Sequence, residues 1–251
     1  GRQTVERFKD HFSPLAQGYA RYRPGYPAQL FAWLAEAAPG RTLAWDCATG
    51  SGQAALGLAP HFDAVVATDA SAEQLENAEP HANITYRVAP AEASGIEAGA
   101  VDLVTVAQAL HWFDLPAFYA EVERVLRPGG MLAVWTYNLL SVSPGIDAVV
   151  NPFCDETLAD YWPAERRHVQ VGYRDLAFPF AEVAAPAFAM TADWTLEQLI
   201  GYLRTWSAVR RYREREGEDP VAAVEAALQP LWGEGARRIA WPLTLRAGYR
   251  A

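Results

Sequence analysis

The stretch WDCATGSGQAA, Trp45–Ala55, brings together residue types that a nucleotide site needs. Gly50, Gly52 and Ala55 stand at G-x-G-x-x-A spacing, directly after an acid, Asp46. Glycines let a backbone approach a ligand closely, and an acid at the end of the following strand accepts hydrogen bonds from two ribose hydroxyls. Asp69 lies 17 residues after Gly52, where such an acid belongs. This arrangement serves a dinucleotide or S-adenosylmethionine (SAM), and so hydride transfer or methyl transfer. Asp46 helps to separate them. A pyrophosphate above the turn would meet its carboxylate in a low-dielectric cleft, whereas an ammonium or a sulfonium would be attracted. Thr42–Pro60 contains no Lys, Arg or His to offset phosphate charge. SAM is favoured, and an NAD-dependent oxidoreductase stays as the alternative.

Such residues need a sheet to hold them. TLAWDC reads as a buried strand running into the turn and QAALGLAPHF as the helix after it. DAVVATD, NITYRV, VDLVTVAQA and, after the RPGG turn, MLAVWTY read as four further strands. A helix is expected over 28–38, stopped by Pro39-Gly40. Ser71 caps a second helix, with Gln74 placed to complete a capping box. Asp114 caps a third, whose Leu115, Phe118, Tyr119, Val122 and Leu126 fall at helical spacing. Strands apolar on both faces, alternating with helices, predict an α/β fold with a doubly wound parallel sheet and its ligands at the C-terminal strand ends. From Asn138 to about Ala185 the pattern turns irregular. A helix then starts at Thr195 with a capping box through Gln198, and another spans about 220–231. The final RRIAWPLTLRAGYR is strand-like, with Pro242 pointing to an edge strand or a bulge.

Composition narrows the partners. The 251 residues are 51% hydrophobic and 20% charged with a net charge of −9, which weighs against nucleic acid and anionic membrane as targets. Cys47 and Cys154 fit neither a disulfide framework nor a zinc pattern, and no metal is expected. No segment is apolar enough to span a bilayer, and GRQTVERFKDHF lacks an apolar signal core, so a cytoplasmic protein is expected.

The motifs DCATGSGQ (Asp46–Gln53), VVATDAS (Val65–Ser71) and RVLRPGG (Arg124–Gly130) resemble those of class I SAM-dependent methyltransferases. YARYRPGYP (Tyr19–Pro27), AQALHWFD (Ala107–Asp114) and LRTWSA (Leu203–Ala208) resemble the branch that contains trans-aconitate methyltransferase. The resemblance implies a Rossmann-like seven-stranded sheet with its last strand antiparallel, in a single domain over 1–251. Within it, 1–40 form an N-terminal lid and first helix, 41–137 the SAM-binding core, 138–180 a substrate-cap insertion after strand five, and 181–251 the completion of the sheet. It implies that Ala48, Gly50 and Gly52 line the methionine part of SAM, that Asp69 binds the ribose and that Ala70 packs on the adenine. Ala91 and Glu92 match the segment that closes over the adenine. Pro90 replaces the Asp or Ser usual before that pair, so Glu92 is the substitute contact. Tyr19 and Arg23 fall in the segment that folds over the cofactor, and Gln108 offers its backbone carbonyl to the SAM ammonium.

The expected reaction is methylation of a small-molecule acceptor at oxygen, on a carboxylate or a hydroxyl, leaving S-adenosylhomocysteine. C- or N-methylation of a quinone-like or natural-product acceptor is the alternative. A carboxylate needs no base, while a hydroxyl does, and His111 is the candidate. Trp112, Trp206 and Arg210 are candidate acceptor contacts, the last within the basic run WSAVRRYRERE. The protein is expected to be a monomer or a homodimer.

Overall fold

In the computed structural model the chain is described for residues 24–251. Five parallel strands, β1 (Leu43–Cys47), β2 (Ala64–Asp69), β3 (Ile84–Val88), β4 (Val101–Ala107) and β5 (Leu126–Tyr137), lie in the order β3-β2-β1-β4-β5. Reversal of strand order at β1 and β4 puts the glycine turn and the end of β4 side by side on the C-terminal edge, where this architecture opens a crevice. A long β8 (Arg237–Tyr249) runs antiparallel beside β5, as expected of the last strand. The sheet has eight strands rather than seven. The position outside β8 is shared by two short stretches, β6 (Glu182–Val183) and β7 (Ala189–Trp194).

Pro242 therefore sits in an interior strand. Residues 237–242 of β8 pair with β7, and pairing with β5 begins at Leu243. Leu243 N–H goes outward to Phe188 O at 2.9 Å, so the N–H missing at Pro242 falls on the β5 side, just beyond the last β5 pair. The RPGG segment likewise lies inside β5, accommodated by a register irregularity opposite Val101–Leu103 and by Gly129 at φ +81°.

Two helical layers cover the sheet. On one face α1 (Ala28–Ala37) and α2 (Gln53–Leu58) bury Leu30, Phe31, Leu34 and Leu58 against Val65, Leu103 and Trp135. α3 (Ala72–Glu76) follows β2, and Ser71 caps it by accepting from Gln74 N at 3.3 Å. Only half of the expected box forms, because Ser71 N–H is taken by Asp69. On the other face α4 (Leu115–Val125), capped by Asp114 through Ala117 N, buries Phe118, Val122 and Val125 against Trp45, Val104 and Val134. Asp102, fully buried, pins the start of β1 by accepting from Thr42 N and Leu43 N at 2.9 and 3.1 Å, with Arg127 at 2.8 Å as its ion partner.

The segment read as irregular is partly helical: α5 (Pro144–Pro152), a π-helical turn over Phe153–Thr157 and α6 (Arg166–Gln170). Pro144, Gly145 and Pro152 mimic loop chemistry in the sequence, yet a first-turn Pro costs a helix nothing. After β7 come α7 (Leu196–Arg204), with its reciprocal Thr195–Gln198 capping box, α8 (Ser207–Glu216) and α9 (Val221–Trp232). Leu140, Ile146, Val150, Phe153 and Leu158 share one core with Met190, Leu199, Leu203, Leu228 and Trp241, so the cap and the C-terminal helices form one packed body. Among the described residues no helix is long and apolar enough to cross a membrane.

Candidate functional site

The chain leaves β1 through four unusual residues. Ala48, Gly50 and Gly52 adopt φ of +55°, +58° and +87°, and Thr49 between them donates its N–H to Thr68 O at 2.8 Å. Such backbone conformations cost energy at non-glycine positions and gather at functional sites. Gly50 N–H donates to Asp69 Oδ2 and Ser71 N–H to Asp69 Oδ1, both at 2.9 Å, so Asp69 ties the turn to the end of β2. Burial raises its pKa, which these two donors partly offset. Each carboxylate oxygen keeps a lone pair for a ribose hydroxyl.

Asp46 lies beneath the turn, 1% exposed. Its Oδ2 accepts from Thr49 Oγ1 at 2.6 Å and its Oδ1 from Thr105 Oγ1 at 2.7 Å. Burial pushes its pKa up to about 6 against the pull of both hydroxyls, and the Asp69 charge adds to the rise. None of the groups acting on it among the described residues is a cation. Its negative charge is thus stored under the turn, and it reaches a ligand through its field and through Thr49 rather than through a free oxygen. Thr49 and Thr105 were not singled out in the sequence; Thr105 lies 59 residues from Asp46, and only the β1–β4 register, Asp46 opposite Thr105, joins them.

Fit to SAM can be tested at the two glycines. Among the described residues a Cβ on Gly50 would meet nothing nearer than Gln74 Oε1 at 3.9 Å, so they leave the space above that residue open to a ligand. A Cβ on Gly52 would stand 2.7 Å from the Tyr86 hydroxyl, so that glycine is closed off by the protein itself. A backbone cradle open among the described residues, above a buried carboxylate that none of their cations offsets, suits the aminoacyl and sulfonium end of SAM and disfavours a pyrophosphate. On the adenine side, Ala70 is exposed, Ala91 half-buried and Glu92 exposed. Val88, 57% exposed at the end of β3 and in register with Asp69, is an apolar residue at this rim that was not singled out in the sequence. Tyr19 and Arg23 lie outside the described residues.

At the end of β4, Gln108 adopts φ +60° and donates its N–H to Trp135 O at 2.9 Å. Its side chain locks β4 to β5: Oε1 accepts from Tyr137 N at 2.8 Å and from the Thr136 hydroxyl. A 3₁₀ turn, Leu110–Trp112, then presents His111. His111 Nδ1 is 2.8 Å from the hydroxyl of fully buried Tyr173, and its ring lies 4.6 Å from that of Trp112. Burial, aided by the charge of His168, lowers the His111 pKa to about 3. A base so weak takes no hydroxyl proton efficiently near neutrality. Tyr173 is held protonated by burial. The lowered pKa weighs against the general-base role expected for His111, and the hydrogen bond to Tyr173 fixes its ring at the end of β4.

The depressed pKa carries a stability signature. Below the unfolded value of about 6.5 the unfolded state binds the proton and the folded state does not, so stability falls with acid from there toward pH 3. The unfolding free-energy gap between wild type and His111→Gln, from urea titration, should narrow by about 2 kcal/mol between pH 7.5 and pH 5. A gap independent of pH would mean that the ring titrates normally.

The cap residues separate in the structure. Trp206 is half-buried, stacked on Phe153 at 6.2 Å and tilted against Trp162 at 5.5 Å. Arg210 pairs with Glu214 at 3.1 Å along α8, and Arg211 donates to Tyr161 O, which ties the basic run to the protein's own groups. Among the described residues no cluster of three or more His, Cys, Asp or Glu could hold a metal ion.

Residues 45–134 match a family model described as a methyltransferase domain. A protein of Dictyostelium discoideum described as a candidate methyltransferase is 34% identical over 229 residues, spanning 90% of this chain and 87% of its own length. A protein of Saccharomyces cerevisiae described as a candidate S-adenosylmethionine-dependent methyltransferase is 33% identical over 128 residues, 47% of this chain and 44% of its own. The solved structure of a candidate type II methyltransferase from Anaeromyxobacter dehalogenans is 48% identical, with a TM-score of 0.86 over 90% of this chain and 97% of that one.

Proposed function

Because the chain belongs to the SAM-dependent methyltransferase family, we propose that it methylates a carboxylate oxygen of a small organic acid. One observation carries the choice of acceptor. Among the described residues at the β4–β5 edge, the two titratable groups in contact, His111 and Tyr173, are a base too weak and an acid too weak to move a proton near pH 7. A carboxylate is already ionised there and needs no base. Bound SAM supplies a methyl group on a sulfonium; its transfer to a carboxylate breaks the S–C bond, forms an O–C bond and releases no proton.

The chain's own residues position and shield. Asp46 holds negative charge beneath the turn through Thr49 and Thr105, Asp69 fixes the turn, and Gln108 sets the end of β4 against β5. His111 and Trp112 stand at the end of β4 with buried Tyr173 fixing the His111 ring, a rigid edge against which an acceptor can be oriented for in-line approach. The resemblance of AQALHWFD and LRTWSA to the trans-aconitate methyltransferase branch supports an acid as acceptor. The net charge of −9 supports a small molecule over nucleic acid. Incubation with SAM and a panel of aryl and alkyl carboxylic acids should give base-labile methyl esters, with no proton release in weakly buffered indicator solution. Methyl ethers formed with one proton per turnover would overturn this reading.

A further inference from the structure

We propose that Arg166 is the specificity residue that anchors the acceptor's carboxylate, a step that rests on the carboxylate reading above. The guanidinium carbon lies 4.0 Å over the Trp162 ring, which fixes the plane of the fork. Nη2 donates to Asn138 Oδ1 and to Cys154 Sγ, each at 3.0 Å, and Nε is buried with no hydrogen-bond partner. Among the described residues no carboxylate forms an ion pair with Arg166, whereas Arg204, Arg238 and Arg246 each hold one. Burial keeps the Cys154 thiol protonated, with its pKa up at about 12, so the sulfur is a weak neutral acceptor. Nε and Nη2 form the side of the guanidinium that grips a carboxylate with two parallel hydrogen bonds. Here Nε is an orphan and Nη2 is shared between Asn138 Oδ1 and a thiol, so an incoming carboxylate would satisfy Nε and replace the weak bond to sulfur while Asn138 keeps the other Nη2 hydrogen.

The location agrees with an acceptor site. Asn138 directly follows β5, and β5 is two strands from β1, roughly 10 Å along the same edge from the glycine turn at about 4.8 Å per strand. Trp162 and Trp206 provide half-buried aromatic surface beside the cation. The acceptor class is then an organic acid with an apolar or aryl body. Esterification removes the charge that Arg166 holds, so product leaves more readily than substrate.

The test uses phenylacetate, indole-3-acetate and octanoate beside their neutral amides, titrated calorimetrically into the full chain saturated with S-adenosylhomocysteine. At least one acid should bind wild type about tenfold or more tightly than its amide. Arg166→Gln should erase that preference with S-adenosylhomocysteine affinity unchanged and only a small fall in thermal midpoint from the lost Trp162, Asn138 and Cys154 contacts. Arg166→Lys should restore part of it, and Arg167→Gln should retain all of it. Wild type without preference for any acid, or Arg166→Gln with the preference intact, overturns the anchor. If Arg166→Gln erases the preference but no acid yields a methyl ester, the anchor stands and the carboxyl-methylation reading fails.

Discussion

Asp46→Asn should yield a protein that is more stable than wild type and binds SAM at least about tenfold more weakly. The folded-state pKa of Asp46, about 6, lies above its ordinary 3.8, so the fold prefers the protonated form. Stability is therefore lost as pH rises from about 4 through 6, and holding the ionised form at pH 7 costs at most about 3 kcal/mol. An asparagine keeps both neighbours satisfied, since its carbonyl accepts from one Thr hydroxyl and its amide donates to the other. A net gain of about 1–2 kcal/mol is expected, a rise of roughly 2–6 °C in thermal midpoint for a chain of this size. The ligand feels the opposite effect. A cation above the turn offsets the buried charge, so binding lowers the Asp46 pKa and expels its proton. Wild-type affinity for SAM should then weaken as pH falls below about 6, toward tenfold per unit, and Asp46→Asn should flatten that slope. Asp69, also raised by burial, is present in both proteins and drops out of the comparison. Equal SAM affinity in the two proteins across pH 5–8 would show that the carboxylate serves the fold alone.

Legibility in the sequence followed the range of the interactions. β1 to β5, the caps at Asp114 and Thr195, and the register of Gly50, Gly52 and Asp69 were readable because periodicity, capping and glycine turns are local. The acidic residue under the turn was readable as a charge, but its environment was not. Thr105 reaches Asp46 only through strand pairing, and Tyr173 reaches His111 across 62 residues from a φ of +62° that nothing in GYRD announces. Tertiary burial lowers the His111 pKa to about 3, a change of environment that no spacing rule registers. The cap misled for a different reason. Its helices are short, α5 both starts and ends on proline, and their apolar side chains pack against segments distant in the sequence, so they carry little periodic signal of their own. Arg166 and Arg210 look equivalent in sequence, each in a basic run, and differ only in whether a carboxylate stands opposite.

The two glycines of the turn, identical in motif, should fail in different ways. In Gly52→Ala the new Cβ meets the Tyr86 hydroxyl at 2.7 Å and Cε1 at 2.9 Å, at a residue already at φ +87°. The conformation costs about 1–2 kcal/mol for an L side chain. Displacing the ring costs a further 1–3 kcal/mol or so, because Tyr86 is held by its hydrogen bond to Glu79 O at 2.8 Å. A total loss near 3 kcal/mol is expected by urea unfolding. Tyr86→Leu in the same chain should relieve the clash but not the backbone term, giving a coupling of about 1 kcal/mol or more. Gly50→Ala faces no such neighbour, with Gln74 Oε1 at 3.9 Å, so its stability loss should stop at the backbone term, about 1–2 kcal/mol. Its Cβ instead enters the open space above the turn, and S-adenosylhomocysteine affinity should fall about tenfold or more by calorimetry. If Gly50→Ala binds normally, the ligand does not approach the backbone there. If Gly52→Ala and Gly50→Ala lose equal stability, Tyr86 yields freely and the closed side of the turn is softer than its packing implies. On the expected results, the spacing that first marks this segment divides into a glycine kept for the ligand and a glycine kept for Tyr86.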